Sequence, residues 1–435
     1  MYSYVPSRAG IYLVICHRFP FAGGQYRIVA ELSPPRFRTV LSWYSAWTTV
    51  FGWLAFNGTA PFLCGTLIQG LIVLNNPDYT PERWQGTCLF WAILAVAFVI
   101  NIYRGDLLSK LESLAMILHL IFFLIVFIVV LALSPDRHSS AFVFTKFQNS
   151  TGYNSDGIAW SLGMLTSAYV MVGFDSAMHV AEETKNPRKD VPWAMVGCLL
   201  VNGSMGFAML IAVLYGMGDL DTAINTPIGF PIVEMFLHIS RGSKAAATAM
   251  TCTIVISAWF AAVGMLASSS RALYAFARDG GTPFAWWLSR LHPQRRVPTN
   301  AVICVCSLLT LLALLNIAST TAFNAILSLA VVGLYLSYLI SVSIILFRRF
   351  WNPQTLQYGP WRLPKSVGMT VNVFSMIYLA YTGIFLLFPP LQPVTADNMN
   401  YACLILGAAL LFSTFNWFLW GRKHFKGPSD LATSD

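Results

Sequence analysis

Residues 117–133 read ILHLIFFLIVFIVVLAL, and this stretch decides the class of fold. No acid, Lys or Arg interrupts it, and with its flanks it reaches the about 20 helical residues needed to cross a hydrocarbon core. Other parts of the chain repeat the pattern. Of 435 residues, 56% are hydrophobic and 10% charged, against a usual charged share of about 25% in soluble domains. A water-soluble domain of this size cannot hide that much apolar surface. The blocks are therefore membrane spans, and the chain reads as an all-α membrane protein.

Ten spans are predicted: 40–74, 84–102, 111–133, 157–181, 191–217, 245–273, 300–317, 321–347, 367–388 and 401–420. Residues 1–39 form a cytoplasmic N-terminal segment in this reading, and residues 421–435 a cytoplasmic tail. With both termini inside, only Arg83, Arg137, Lys146, Arg241 and Lys244 of the 27 Lys and Arg residues fall in outer segments, as the positive-inside rule requires. The formal net charge of +9 is thus a topology signal rather than a nucleic-acid footprint. The lipid bilayer is the expected partner.

Asn57-Gly58 and Pro61 invite a hairpin within the first block. Splitting it would move the later basic loops outside, so one kinked or tilted helix is predicted. Residues 226–240 are too apolar for a plain connector, and a short helix is expected over residues 231–239, across the outer mouth. Asn149-Ser150-Thr151 is a glycosylation sequon in an outer loop, whereas the sequons at Asn57 and Asn202 fall inside spans. The apolar stretch 11–16 is shorter than a signal-peptide core, so no cleaved leader is expected. The eight cysteines (Cys16, Cys64, Cys88, Cys198, Cys252, Cys304, Cys306 and Cys403) lie mostly in apolar runs, without CxxC pairs or His at zinc spacing. They predict packing roles, with no disulfide framework, metal or cofactor.

Chemistry concentrates in the fourth span. Asp175 is a carboxylate where insertion costs at least ~2.5 kcal/mol, which makes it a functional candidate. Gly173 lets the backbone leave helical geometry beside it, so a broken helix with a solute site over Gly173, Phe174, Asp175 and Ser176 is predicted. Two readings of Asp175 stand together: a cap for the second half-helix, or a cap that also meets solute or a proton. His179 reads as a packed helix residue or a proton relay. His179 and Glu182 share a helix face, but HExxH is absent. Glu182 and Glu183 are expected as gate or structural partners, with Arg271, one turn inside the membrane edge, as a candidate counter-charge. Phe174, Trp259, Trp43 and Tyr44 offer rings to an amine or serve as packing residues.

The segment Gly173-Phe174-Asp175-Ser176-Ala177-Met178-His179-Val180-Ala181-Glu182-Glu183-Thr184, followed by Pro192, resembles the sixth-helix signature of fungal choline and GABA permeases. These belong to the amino acid/polyamine/organocation superfamily. Ser270-Arg271-Ala272-Leu273-Tyr274-Ala275-Phe276-Ala277-Arg278-Asp279-Gly280 looks like the end of that family's eighth helix, and Gly23-Gly24-Gln25-Tyr26 resembles the lead-in to its third. The resemblance runs from about residue 21 to the C-terminal helix. It implies two inverted five-helix repeats plus two helices, of which the ten spans match the third to the twelfth. Residues 1–20 do not resemble the first two, so the first repeat is expected to be incomplete. By resemblance, the broken first helix supplies the other half of the solute site.

The expected function is secondary active transport of an amino acid, GABA or choline-like amine by alternating access. The resemblance implies proton symport, and the plasma membrane is the expected location. The alternatives are a non-transporting permease fragment and a transporter-like nutrient sensor. An enzyme is not expected, since HExxH and GxSxG are absent. Neither a GxxxxGKS/T loop for ATP nor a TVGYG filter for potassium is present.

Overall fold

The computed structural model describes residues 23–356, 364–396 and 398–428. Among them the regular elements are helices. Residues 1–22, which include the N-terminal stretch unlike the family's first two helices, lie outside the described residues.

A helix α1 spans Gln25–Leu32. Long helices follow: α2 Arg38–Asn75, α3 Arg83–Tyr103 and α4 Gly105–Leu133. The fourth expected span is divided into α5 Asp156–Val170 and the single turn α6 Ser176–His179. Then come α7 Pro187–Gly216, α8 Pro231–Ile239, α9 Lys244–Arg278, α10 Thr299–Ala318, α11 Thr320–Trp351 and α12 Lys365–Phe385. The last helix, α13, covers Ala402–His424 with a wider π-turn over Trp417–Gly421. Nine of these helices are long and apolar enough to cross a membrane. The α5–α6 pair falls short of that length because its helix is broken. This is an integral, multi-pass, all-helical membrane protein.

Lipid tails are as apolar as the helices, so burial from water does not drive the spans together; close packing and polar contacts do. α2 is packed between α9 and α11. At its crossing with α11 a side chain on Gly333 would place its Cβ 3.2 Å from the Gly52 Cα, so two glycines let the backbones approach. Thr49 and Ser337 hydroxyls share a hydrogen bond of 2.6 Å across the same interface. Pro61 lies inside α2 without ending it: it removes one backbone hydrogen bond, and the flanking helices hold the remainder in line. There is no hairpin at Asn57-Gly58.

Helical structure extends past the predicted spans at three places. Within the expected cytoplasmic N-terminal segment, Gln25–Leu32 is a buried helix packed on α2 and α11. The reason is its amphipathy: Ile28, Val29 and Leu32 join the central apolar core. The start of the expected tail is also ordered against the bundle. α13 continues to His424, and Phe425 is buried with its ring centroid 5.4 Å from Trp43 and 5.6 Å from Phe276. Third, α4 begins at Gly105, ahead of the predicted span's start at residue 111, since a charged first turn can remain helical where it reaches water.

The short helix expected at 231–239 is α8, with Pro231 in its first turn, where a missing N–H costs nothing. Its Val233, Phe236 and Ile239 pack with Leu67 and Leu74 of α2, Val126 and Val130 of α4 and Met250 of α9.

Candidate functional site

Between Val170 and Ser176 the helix opens. Gly173 has φ +83, in the left-handed region, and a Cβ there would lie 2.6 Å from the Phe56 ring. Both the backbone turn and the close approach of α2 therefore require glycine. The turn satisfies part of its own backbone: Val172 N–H donates to the Tyr169 carbonyl at 3.2 Å and Ser176 N–H to the Gly173 carbonyl at 3.0 Å. Tyr335 of α11 donates its hydroxyl to the Ala168 carbonyl, 3.3 Å away, near the end of the broken helix.

Asp175 lies at this break with 0% exposure. Its Oδ1 accepts the Tyr338 hydroxyl at 2.6 Å. Its Oδ2 accepts from Gln25 Nε2 of α1 and, at 3.1 Å, from Trp53 Nε1 of α2. His179 Nε2 lies 3.3 Å from the same oxygen. A buried acid in a span must find such partners, and here they come from three other helices plus the next turn of its own segment.

The capping reading of Asp175 does not hold, because its side chain makes no cap hydrogen bond. α6 is a single turn whose first amide is already satisfied by the Gly173 carbonyl. Side-chain donors facing the carboxylate outcompete the remaining amides, since hydrogen bonds to an acid of this kind are among the stronger ones.

Phe174 and His179 complete the wall. The Phe174 ring centroid is 5.2 Å from that of Tyr338, and the buried His179 ring meets Trp53 edge-on at 5.4 Å. Gly24 rests against the imidazole, where a Cβ would come within 2.9 Å of Cε1. The Oε1 atom of Gln25 is buried without a hydrogen-bond partner among the described residues. Ser176 is half-buried beside the break.

Glu182, Glu183 and Arg271 form a second group. Arg271 of α9 holds Glu183 in a two-pronged pair, with Nη2 to Oε2 at 3.1 Å and Nε to Oε1. Two turns further, Arg278 holds Glu182 the same way, at 3.0 and 3.1 Å. Tyr26 donates to Asp279 at 2.7 Å, fastening α1 to the end of α9. Elements that meet Asp175 are thus clamped to α9 at one end of the bundle.

The remaining candidates lie elsewhere. Trp43 is packed among Trp47, Phe276, Trp417 and Phe425, and its Nε1 donates to the Ser413 carbonyl at 2.9 Å. Tyr44 bonds Thr414, and Trp259 stacks edge-on with Phe260. Asn149 holds its own loop: its amide donates to the Tyr153 carbonyl at 2.9 Å and to Asp156 at 3.1 Å. Among the described residues no group of three His, Cys, Asp or Glu side chains is gathered as a metal centre would need.

Sequence reading missed Gln25, Trp53 and Tyr338 as partners of Asp175. Gln25 stood within the quoted Gly23-Gly24-Gln25-Tyr26 motif, whereas Trp53 and Tyr338 sit in apolar runs where an aromatic usually signals packing.

The amino acid permease family matches residues 9–409. A provisionally named amino acid/polyamine transporter of Macrophomina phaseolina is 35% identical over 388 residues, covering 89% of this chain and 85% of that one. The choline transporter of Saccharomyces cerevisiae is 29% identical over 408 residues, covering 94% and 71%. An amino-acid permease of Arabidopsis thaliana is 27% identical over 427 residues, covering 95% and 82%. With a family match over most of its length, and with the helix break and its signature residues in place, this chain belongs to the amino acid permease family of the amino acid/polyamine/organocation superfamily.

Proposed function

We propose that the protein is a secondary transporter that carries an amino acid or related amine, such as GABA or a choline-like solute, across the membrane by alternating access. The observation that supports this reading best is the buried carboxylate of Asp175 at a helix break, held by side chains from α1, α2 and α11. Interrupted helices are how transporters of this build place polar groups at mid-membrane. The names of the relatives point to amino acids, polyamines and choline, all of which carry an ammonium group that a carboxylate attracts.

In this conformation Asp175 is sealed. For a solute ammonium to reach it, Gln25 or Tyr338 must turn away, which couples solute arrival to a shift of α1 or α11. On the clamped side, the Glu183–Arg271 and Glu182–Arg278 pairs close the path and open in the alternate state. A proton is the coupling ion in this proposal, with the Asp175–His179 pair as its site, and no enzymatic step is involved. The plasma membrane is the proposed location, with both termini cytoplasmic, as the Lys and Arg distribution favours. Asn149 then faces outward and is the proposed glycan acceptor; loss of an endoglycosidase-sensitive mass shift in Asn149→Gln checks that orientation.

The functional test is uptake of labelled GABA, choline and a panel of amino acids into proteoliposomes holding the full chain, with and without an inward proton gradient. Saturable uptake of one of them, raised by the gradient and lost in Asp175→Asn, is expected. Uptake that ignores the gradient sinks proton coupling, and no saturable uptake of any of them sinks the transport reading.

A further inference from the structure

Asp175 is not the sole acid that lies beyond the first turn of a long apolar helix. Asp106, Asp156 and Asp190 stand in the first turns of α4, α5 and α7, but Glu112 lies two turns inside α4. Sequence reading placed it at the edge of a span predicted to start at residue 111.

Glu112 points toward the bundle. Val126 and Val130, the buried residues of α4, follow it by about four and five turns of 3.6 residues and so share its face. Its carboxylate occupies the space that a side chain on Gly264 of α9 would fill: a Cβ there would lie 2.7 Å from Glu112 Oε1. Along that face of α9, Phe260 comes one turn before Gly264 and Ser268 one turn after. Ser268 is 3% exposed, and neither its hydroxyl nor the Glu112 carboxylate has a hydrogen bond or ion pair among the described residues. Arg271 is the nearest base along α9 toward its C-terminal end, and it is committed to Glu183.

The two acids therefore differ in kind. Asp175 is sealed by its donors, while Glu112 is exposed and has no counter-charge among the described residues. A carboxylate facing Gly264, with an aromatic ring and a hydroxyl one turn to either side on α9, complements an organic ammonium ion. We propose that Glu112, with Phe260 and Ser268 across the gap left by Gly264, is a second cation site, which receives the ammonium group of the solute on its way to or from Asp175. This rests on the transport reading above.

The test compares labelled choline uptake and equilibrium choline binding in proteoliposomes of the full chain and of Glu112→Gln, Glu112→Asp, Gly264→Ala and Asp175→Asn. Glu112→Gln is expected to raise KM about tenfold, the size of one lost favourable ion contact of ~1.4 kcal/mol, with a smaller change in Vmax. Glu112→Asp, which keeps the charge, restores most of the affinity and guards against a folding defect in the Gln variant. Gly264→Ala raises KM by displacing the carboxylate without changing charge. An unchanged KM in Glu112→Gln, with Asp175→Asn inactive, overturns this inference and leaves the transport reading standing. An unchanged KM with an altered pH profile of Vmax also overturns it, because the carboxylate then carries a proton instead of solute. A parent protein that neither binds nor carries any amine removes both.

Discussion

Tyr338 donates its hydroxyl to Oδ1 of Asp175 at 2.6 Å, tying the middle of α11 to the break between α5 and α6 across 163 residues of sequence. A phenol serving a buried carboxylate is a strong contact, typically ~1.5–3 kcal/mol. Tyr338→Phe keeps the ring packed on Phe174 and removes the hydroxyl that donates to Asp175. The variant is expected to lower the thermal midpoint of the purified protein and to change uptake kinetics, because the sealed state loses one of its fastenings. Detergent-phase melting by intrinsic fluorescence checks the first outcome; an unchanged midpoint means that the hydroxyl contributes nothing to this state.

Asp175→Asn tests the carboxylate itself. An amide fills the same volume but presents an N–H₂ group to a shell of donors from Gln25, Trp53 and Tyr338. At least one donor is then left facing another, at a cost of roughly 1–3 kcal/mol for a buried unsatisfied group. Uptake is expected to fall severely while insertion persists. Unchanged uptake across a pH series would remove Asp175 from the mechanism.

Gly173 is constrained twice, by φ +83 and by the Phe56 ring, which lies 2.6 Å from where a Cβ would stand. Strain from a side chain in that backbone region is of order 1–3 kcal/mol, and the ring contact adds to it. Gly173→Ala is expected to reduce folded protein at the cell surface. Adding Phe56→Leu relieves the contact but not the dihedral, so partial recovery is the expected result. Full recovery would show that the backbone turn itself carries no strain.

The parts of this architecture visible in the sequence are those that depend on local chemistry. Residues 117–133 announce a span because hydrocarbon tolerates little else, and Gly173 beside Asp175 announces a break because each residue is unfavourable in an uninterrupted apolar helix. Pro231 similarly marks the start of α8. What stayed hidden depends on distance. Gln25, Trp53 and Tyr338 reach Asp175 across 150, 122 and 163 residues, and an indole or phenol in an apolar run carries no mark of the acid it serves. Glu112 was obscured by a boundary: hydropathy places the span's start where charge ends, but the helix continues through Gly105–Lys110 and takes the acid two turns inside. The folding of α1 into the bundle was hidden for a related reason, since eight residues that include Arg27 do not look like a segment buried among apolar helices.

The two Arg–Glu pairs of the clamp are expected to differ in strength, and burial sets the order. Arg271 is 6% exposed and Glu183 52%, whereas Arg278 and Glu182 are each about a third exposed, at 32% and 34%. Water screens the second pair on both sides, so a double-mutant cycle with Glu182→Gln and Arg278→Gln should give a coupling of ~0–1 kcal/mol. The first pair holds a desolvated guanidinium, which cannot shed its proton and therefore depends on Glu183. The corresponding cycle with Glu183→Gln and Arg271→Gln should give roughly 1–3 kcal/mol and respond less to added salt. Within that cycle, Glu183→Gln should destabilise more through charge than Arg271→Gln, because it leaves the buried partner unpaired and the reverse leaves an exposed carboxylate in water. Melting of the four single variants and two doubles, at low and high salt, measures both couplings; equal values for the two pairs would mean that the clamp is held by packing of α9 and not by its charges.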